Sequence, residues 1–315
     1  MSVASTKDHA HGVEGMFQVV RCTVCGLHYL NPRPTPEHIG SCYPGDYYAY
    51  TAPSRSVPSP TARRRLKRLV RRSRLLSSVA RRIPSLRNAA VDHDLADDIE
   101  GWIKPGKVLD VGCGAGAFLD GMVDNGWTGF GIEPSSPAAA AAAAKGHAVV
   151  CQSVTEPIGE RLSQHRFDII LMSHALEHVH SPTRALAHLK PLLHPDSGHL
   201  IIEVPNVESL LTYWFGELGL AFDTPRHLYM FSPETLRQLL EKNGFEVRSM
   251  RQIARPIQFA RCLRLLADIA TPEAWRAAAG RSLDDPGLLR ALEPLARHAS
   301  EHGLGGAIRA VAVRK

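Results

Sequence analysis

Three sets of residues in this chain have the types and spacing to do chemistry. The first is a glycine turn. In KVLDVGCGAGAF an apolar run ends at Val111, and Gly112, Gly114 and Gly116 follow. Glycines there let the backbone approach a ligand beside a helix N-terminus. Ala117 holds the third glycine position of G-x-G-x-x-G, a replacement the looser pattern permits, so the turn alone leaves dinucleotide binding open. Asp110 at the strand end suits a cationic or hydroxyl-rich ligand better than a pyrophosphate. Glu133, closing the later run GFGIE, has the acceptors to take both hydroxyls of a ribose.

The second set is histidine. His178 and His227 are candidate general bases, because an imidazole of near-neutral pKa takes a proton from a hydroxyl at physiological pH. HALEH, His174 to His178, matches the inverted metalloprotease pattern H-x-x-E-H, with Glu177 as its base. We set that reading aside, since zinc hydrolysis needs both histidines on one long helix face plus a distant third ligand, and this segment follows a strand end. The third set is Cys22 and Cys25, a Cys-x-x-Cys knuckle with Gly26 in the tight-turn position. One knuckle supplies two ligands where structural zinc takes four, and His9 and His11 are the substitutes at hand. The segment reads as a degenerate zinc ribbon kept for packing, with zinc not expected.

The elements that must position these residues follow from periodicity. Short apolar runs KVLDV, GFGIE, HAVVC, FDIILM and HLIIEV alternate with helix-length segments, which predicts a parallel sheet covered by helices on both faces. Ser232 before Pro233 and Glu234 is a helix start, and Asn243-Gly244 its end. FEVRSMRQI and AIRAVAVRK are two more strands, and residues 256–300 between them form a helical insertion. The expected architecture is therefore α/β: a Rossmann-like, seven-stranded, mostly parallel sheet with a C-terminal helical insertion. The expected organisation is a Cys-x-x-Cys segment over 1–50, a basic helical linker over 51–90 and a main domain over 91–315.

At this point the chain resembles the class I S-adenosylmethionine-dependent methyltransferases. VLDVGCGAGAF matches their first motif and Glu133 their ribose-binding acid. FDIILMSHALEHVHSPTRALAHLKPLLHPDSGHLIIEVPN and DTPRHLYMFSPETLRQLLEKNGFEV resemble the later blocks of a subgroup that methylates sugars, quinones and natural products and that carries an N-terminal Cys-x-x-Cys segment. The resemblance implies a cofactor site of Asp110, Gly112, Cys113, Gly114, Gly116 and Glu133, with Ser153 by the adenine and Ser173 and His174 by the methionine portion. The acid that the family usually carries near Ser153 is absent here. HALEH is also similar to the E-x-x-E-H metal and membrane-associated site of quinone O-methyltransferases, but His174 replaces the first acid, and Mg²⁺ prefers oxygen ligands. CYPGDYYAY resembles the Tyr-rich stretch that lines an acceptor pocket in such enzymes.

The resemblance implies methyl transfer to a hydroxyl or carbon of a small-molecule acceptor. An RNA methyltransferase is the alternative, opposed by SHALEH standing where amino-directed nucleic-acid enzymes carry an NPPY-type sequence. A catalytically silent binding protein is opposed by the intact acidic and glycine positions. The start of the chain has no signal-peptide pattern and no apolar run is membrane-spanning in length, so a cytoplasmic protein is expected, with peripheral membrane contact through its basic segment.

That segment concentrates the charge. Residues 47–91 hold twelve Lys and Arg and no acid, although the whole chain is only +6. Leu66, Leu69, Val70, Leu76, Val79, Ala80 and Ile83 fall at helical spacing opposite the arginines, a basic amphipathic helix suited to anionic lipid or a phosphorylated acceptor, and less to nucleic acid. Each exposed cation near an anionic surface is worth about 1 kcal/mol, screened over about 10 Å at 0.1 M salt. Changing Arg64, Arg68, Arg71 and Arg72 together to Gln is expected to reduce binding to anionic vesicles, more at low salt than at high, while cofactor affinity stays the same. Vesicle sedimentation and calorimetry measure the two quantities separately.

Overall fold

The computed structural model describes residues 2–44, 105–270 and 285–315, so the basic helix, most of the Tyr-rich stretch and the centre of the helical insertion lie outside the described residues. The chain divides into two compact units, Met1–Tyr47 with Val154–Lys315, and Tyr48–Ser153.

In the first unit, β1 (Ser2–Thr6), β2 (Phe17–Arg21) and β3 (His28–Leu30) form an antiparallel sheet that a short strand at Tyr229–Met230 extends to four. Val19, Leu30, Val207, Ala221 and Met230 are buried together on it. The connection from β2 to β3 is the cysteine knuckle: Gly26, at φ 77°, donates its N–H to the Cys22 carbonyl, and Cys22 donates to Leu27.

The second unit supplies β4 (Lys107–Val111), α1 (Ala117–Val123), β5 (Thr128–Ile132), α2 (Ser136–Ala144) and β6 (Ala148–Val150). The strands pair in parallel, Asp110 opposite Gly131 and Ile132 opposite Val150. Val108, Leu109, Val111 and Ile132 are almost fully buried, as parallel strands covered on both faces must be.

The first unit resumes with α3 (Glu160–Ser163), β7 (Ile169–Ser173), α4 (Pro182–Leu189), β8 (His199–Pro205), α5 (Leu210–Phe215), β9 (Tyr229–Met230), α6 (Pro233–Lys242), β10 (Phe245–Ile253), α7 (Pro256–Ala270), α8 (Pro286–Glu301) and β11 (Ala307–Arg314). The main sheet has seven strands in the order β10-β11-β8-β7-β4-β5-β6, as expected from the apolar runs, with β11 antiparallel to both of its neighbours. Helix α6 begins where the sequence places it. The Ser232 hydroxyl accepts from the Thr235 N–H, the Thr235 hydroxyl accepts from the Ser232 N–H, and Gly244 at φ 76° ends the helix.

A buried arginine ties the N-terminal sheet to the loop before β9. Arg226 has no exposed surface; it donates to both Asp8 carboxylate oxygens at 2.8 and 2.9 Å, to Asp223 at 2.7 Å and to the Cys42 carbonyl at 3.0 Å. Asp8 in turn accepts the backbone N–H groups of Ala10, His11 and Val13. Burial raises the cost of the Asp8 charge, but Arg226 and these N–H groups hold its carboxyl below the usual range. Arg226→Met leaves two acids without their counter-charge, and breaking a buried pair in this way costs roughly 3–5 kcal/mol. Urea unfolding is expected to show that loss, with Asp8→Asn intermediate because the amide still accepts.

Candidate active site

Unit Tyr48–Ser153 builds the glycine turn. Gly112, Gly114 and Gly116 all lie at positive φ, 80°, 51° and 79°, a region that L side chains enter only under strain. A side chain at Gly116 would also meet the His147 ring at 2.8 Å. The Glu133 carboxylate locks the turn: one oxygen accepts from the Gly114 N–H and the other from the Ser135 N–H, both at 2.8 Å. Gly112 and Cys113 both donate to the Ile132 carbonyl. Ser153 follows β6 in the same unit, half-buried. Asp110, Gly112, Cys113, Gly114, Gly116 and Glu133 are thus gathered on one turn and the strand ends beside it.

The electrostatics of this turn suit a cationic, hydroxyl-bearing ligand. Burial and then the Glu133 charge push the Asp110 carboxyl up to about 7. Burial also raises Glu133, opposed by its two N–H donors. The Cys113 thiol is raised by burial and by both acids, so it is a small packing group and not a nucleophile. Two buried acids, one raising the other, are relieved by a nearby positive charge or by hydroxyl donors, which S-adenosylmethionine offers as sulfonium and ribose. The residues present fit that cofactor.

In the first unit, Ser173 ends β7, and His174 is the one non-glycine residue at positive φ among the described residues, 52°. Its N–H donates to the Glu203 carbonyl at 2.8 Å, and its ring lies 3.4 Å from Glu177 and 3.5 Å from Glu203. Burial pushes this imidazole down, but the two carboxylates outweigh it and lift it to about 9, so His174 is a cation at neutral pH. Glu203 is itself paired with Arg255 and Arg309. The sequence reading passed over these three, yet a charged residue inside the apolar runs HLIIEV and AIRAVAV is a visible signal, and Glu203 and Arg309 are register partners across β8 and β11.

His178 and His227 do come together. Their rings are 4.8 Å apart in a T-shaped arrangement, with Glu177 fully buried beside them. Each ring spends Nδ1 on a carbonyl, His178 on Arg226 and His227 on Ala221, both at 3.0 Å. Tyr43 Oη is 3.0 Å from the same His178 nitrogen, which brings one ring of the Tyr-rich stretch to the site. Burial, and then the neighbouring His178 imidazole, push His227 down to about 4. Cys22 and Cys25 gather no third His, Cys, Asp or Glu among the described residues. His9 pairs instead with Glu217, and the His11 N–H with Asp8.

A mostly parallel sheet, a glycine turn after a strand and an acid closing the next strand define the Rossmann-like fold of the class I S-adenosylmethionine-dependent methyltransferases. Residues 71–250, more than half of the chain, match the family described as "Methyltransferase domain", and the chain belongs to that family. A "Ubiquinone biosynthesis O-methyltransferase" of Pasteurella multocida is 32% identical over 123 residues, 34% of this chain and 49% of that protein. Another of the same name, from Alkalilimnicola ehrlichii, is 30% identical over 170 residues, 52% of this chain and 61% of that protein. The chain therefore spans about half to three-fifths of the length of these relatives. A solved structure from Thermotoga maritima, named as a "SAM-dependent methyltransferase, possible histamine N-methyltransferase", is 20% identical and covers 70% of this chain and 87% of its own, with a TM-score of 0.45.

The raised Asp110 carboxyl has a thermodynamic signature. Its folded pKa, about 7, lies above its unfolded value of 3.8, so its contribution to folding is complete below pH 4 and is lost as pH rises through 7. The full effect is on the order of 4 kcal/mol. Asp110→Asn is expected to gain stability relative to wild type between pH 4 and 8. Denaturation at several pH values measures that difference, and parallel curves would remove Asp110 from its buried, acid-flanked position.

Proposed function

We propose that the chain transfers the methyl group of S-adenosylmethionine to a hydroxyl or carbon of a small molecule of the sugar, quinone or natural-product kind. The observation that carries this reading is the Glu133 carboxylate bridging the Gly114 and Ser135 N–H groups beside the buried Asp110. The names of the two ubiquinone-biosynthesis relatives favour a hydroxyl on a quinone-type ring. Residues 91–315 are assigned to the catalytic domain, 51–90 to the basic linker and 1–50 to the Cys-x-x-Cys segment of the subgroup.

When bound, the cofactor supplies a methyl group already activated on a sulfonium. The protein's own task is then to hold two reactants at attack geometry and, for a hydroxyl acceptor, to receive a proton. Glu133 would hold the ribose and the glycine turn the chain that carries the sulfur. Ser153, Ser173 and His174 are assigned to the remaining cofactor contacts. Of the two candidate bases, His178 is favoured: a group whose pKa is about 4, as in His227, is too weak a proton acceptor near neutral pH. With Nδ1–H given to the Arg226 carbonyl, His178 keeps its lone pair on Nε2.

Glu133→Ala is expected to weaken S-adenosylmethionine binding by roughly 1–3 kcal/mol, the worth of a buried charge-assisted acceptor. Calorimetry on wild type and variant reads this directly, with unfolding curves to show that the glycine turn survives. Unchanged affinity in a folded variant removes Glu133 from the site. A wild type that does not bind the cofactor overturns the reading as a whole.

A further inference from the structure

Glu177 is fully buried, and among the described residues its carboxylate oxygens meet only imidazoles, none in close, well-aligned hydrogen-bond geometry. Its neighbours are imidazoles held at a distance, His174 Nδ1 at 3.4 Å and His227 Nε2 at 3.9 Å. A buried carboxylate left in this state costs several kcal/mol unless a cation compensates it. His174 offers that charge from one side, its Nδ1 3.4 Å away, and despite burial this pairing helps hold the Glu177 carboxyl below the usual range.

The other side is faced by two lone pairs. A carbonyl oxygen only accepts, so the contacts of His178 Nδ1 to Arg226 and of His227 Nδ1 to Ala221 favour the proton on Nδ1 in both rings and leave Nε2 bare. Tyr43 Oη, 3.0 Å from the same His178 nitrogen, is able to accept as well. Imidazoles that bind metals are oriented this way, with the far nitrogen donating to a carbonyl or carboxylate. One ligating atom from each of Glu177, His178 and His227 lies within 4.8 Å of the others. The 3.9 Å between His227 Nε2 and Glu177 is about half an ångström more than the edge of a tetrahedral site with bonds near 2.1 Å. The frame is held: Leu228 donates its N–H to the Glu177 carbonyl at 2.8 Å, and the neighbouring Arg226 is locked by Asp8 and Asp223.

We propose that Glu177, His178 and His227 form a binding site for a divalent transition-metal ion and do not form a magnesium site. Mg²⁺ is held by oxygen, and here two of three donors are imidazole nitrogens, the set suited to zinc, iron, cobalt or nickel. The residue that stands where the E-x-x-E-H pattern has its first acid, His174, is engaged with Glu177 and Glu203 outside the triad. His227 arrives from a distant loop in its stead. The proposal does not rest on the methyl-transfer reading. With an ion in place His178 is a ligand, and its role as base belongs to the ion-free protein.

The test uses the full chain stripped with chelator, carrying Cys22→Ser and Cys25→Ser so that no thiolate pair competes, and titrated with Co²⁺ in the absence of cofactor and acceptor. One equivalent of Co²⁺ is expected, read by visible d–d absorption and by calorimetry, with two hyperfine-shifted exchangeable N–H proton resonances from the two Nδ1–H groups. The NMR signature needs no change at the site and so stands apart from any folding defect of the variants. Glu177→Gln and His227→Ala are each expected to weaken Co²⁺ binding at least tenfold, and a hundredfold excess of Mg²⁺ is expected to leave the bound Co²⁺ in place. Absence of Co²⁺ uptake, uptake indifferent to both substitutions, or displacement by Mg²⁺ would overturn the proposal. Failure of cofactor binding in the experiment on Glu133 bears on a different site and leaves this outcome unaffected.

Discussion

Arg226 meets two acids, Asp8 and Asp223, where no water reaches the guanidinium, and much of the first unit is arranged around that meeting. Desolvating an arginine is costly, and the cost is offset only when its donors are matched by acceptors in good geometry. Here they are matched by two carboxylates and the Cys42 carbonyl. Because Asp8 follows β1, Cys42 lies beyond β3 and Asp223 precedes β9, one side chain fixes three stretches of chain at once. The loop so fixed carries His227, and the Arg226 carbonyl favours the Nδ1–H tautomer of His178. A structural ion pair thus anchors the residue whose carbonyl, together with Tyr43 Oη, meets Nδ1 of a candidate catalytic histidine.

A second network governs His174. The unusual φ of this residue is sustained by its N–H bond to the Glu203 carbonyl, while its ring shares the charge of Glu203 and Glu177. Burial raises the cost of the Glu203 charge, but His174, then Arg255 and Arg309, keep its carboxyl well below the usual range. The result is a chain of alternating charges, Arg309, Glu203, His174 and Glu177, in which each member stabilises the ionised state of the next. It ends at Glu177, whose carboxyl is held below the usual range despite burial, His174 first among the causes, and which lies beside His178 and His227.

The cofactor turn follows the opposite logic. Asp110 and Glu133 are buried close to each other without a basic side chain among the groups that shift their pKa values, so their charge is a standing cost in the free protein. Backbone N–H groups of the turn and of Ser135 offset part of it at Glu133. A site that is unfavourable by itself and relieved by a cationic, hydroxyl-bearing ligand gains in affinity what it loses in stability. The three glycines serve the same end, because positive φ keeps the turn low enough for a ligand to lie against it.

How much of this was legible in the sequence depends on how local each feature is. The alternation of apolar runs with helices, the glycine turn, the acids at Asp110 and Glu133 and the Ser232 cap are set by contacts within a few residues or by periodicity, and they stand in the structure where the sequence reading placed them. His178 and His227 could be named from residue type, but not their meeting, nor the state of their nitrogens, which depends on carbonyls elsewhere on the folded chain, 48 positions away for His178. The Asp8–Arg226 pair spans 218 positions and Arg309–Glu203 spans 106, distances over which no spacing rule acts. The burial of Glu177 among imidazoles exists only once β7, the Arg226 loop and β8 are packed together. Backbone pattern and turn chemistry were therefore determined by the sequence alone, because they are short-range. Protonation, tautomer and the gathering of the Glu177–His178–His227 group were decided by tertiary structure, because each is a property of the space around a side chain.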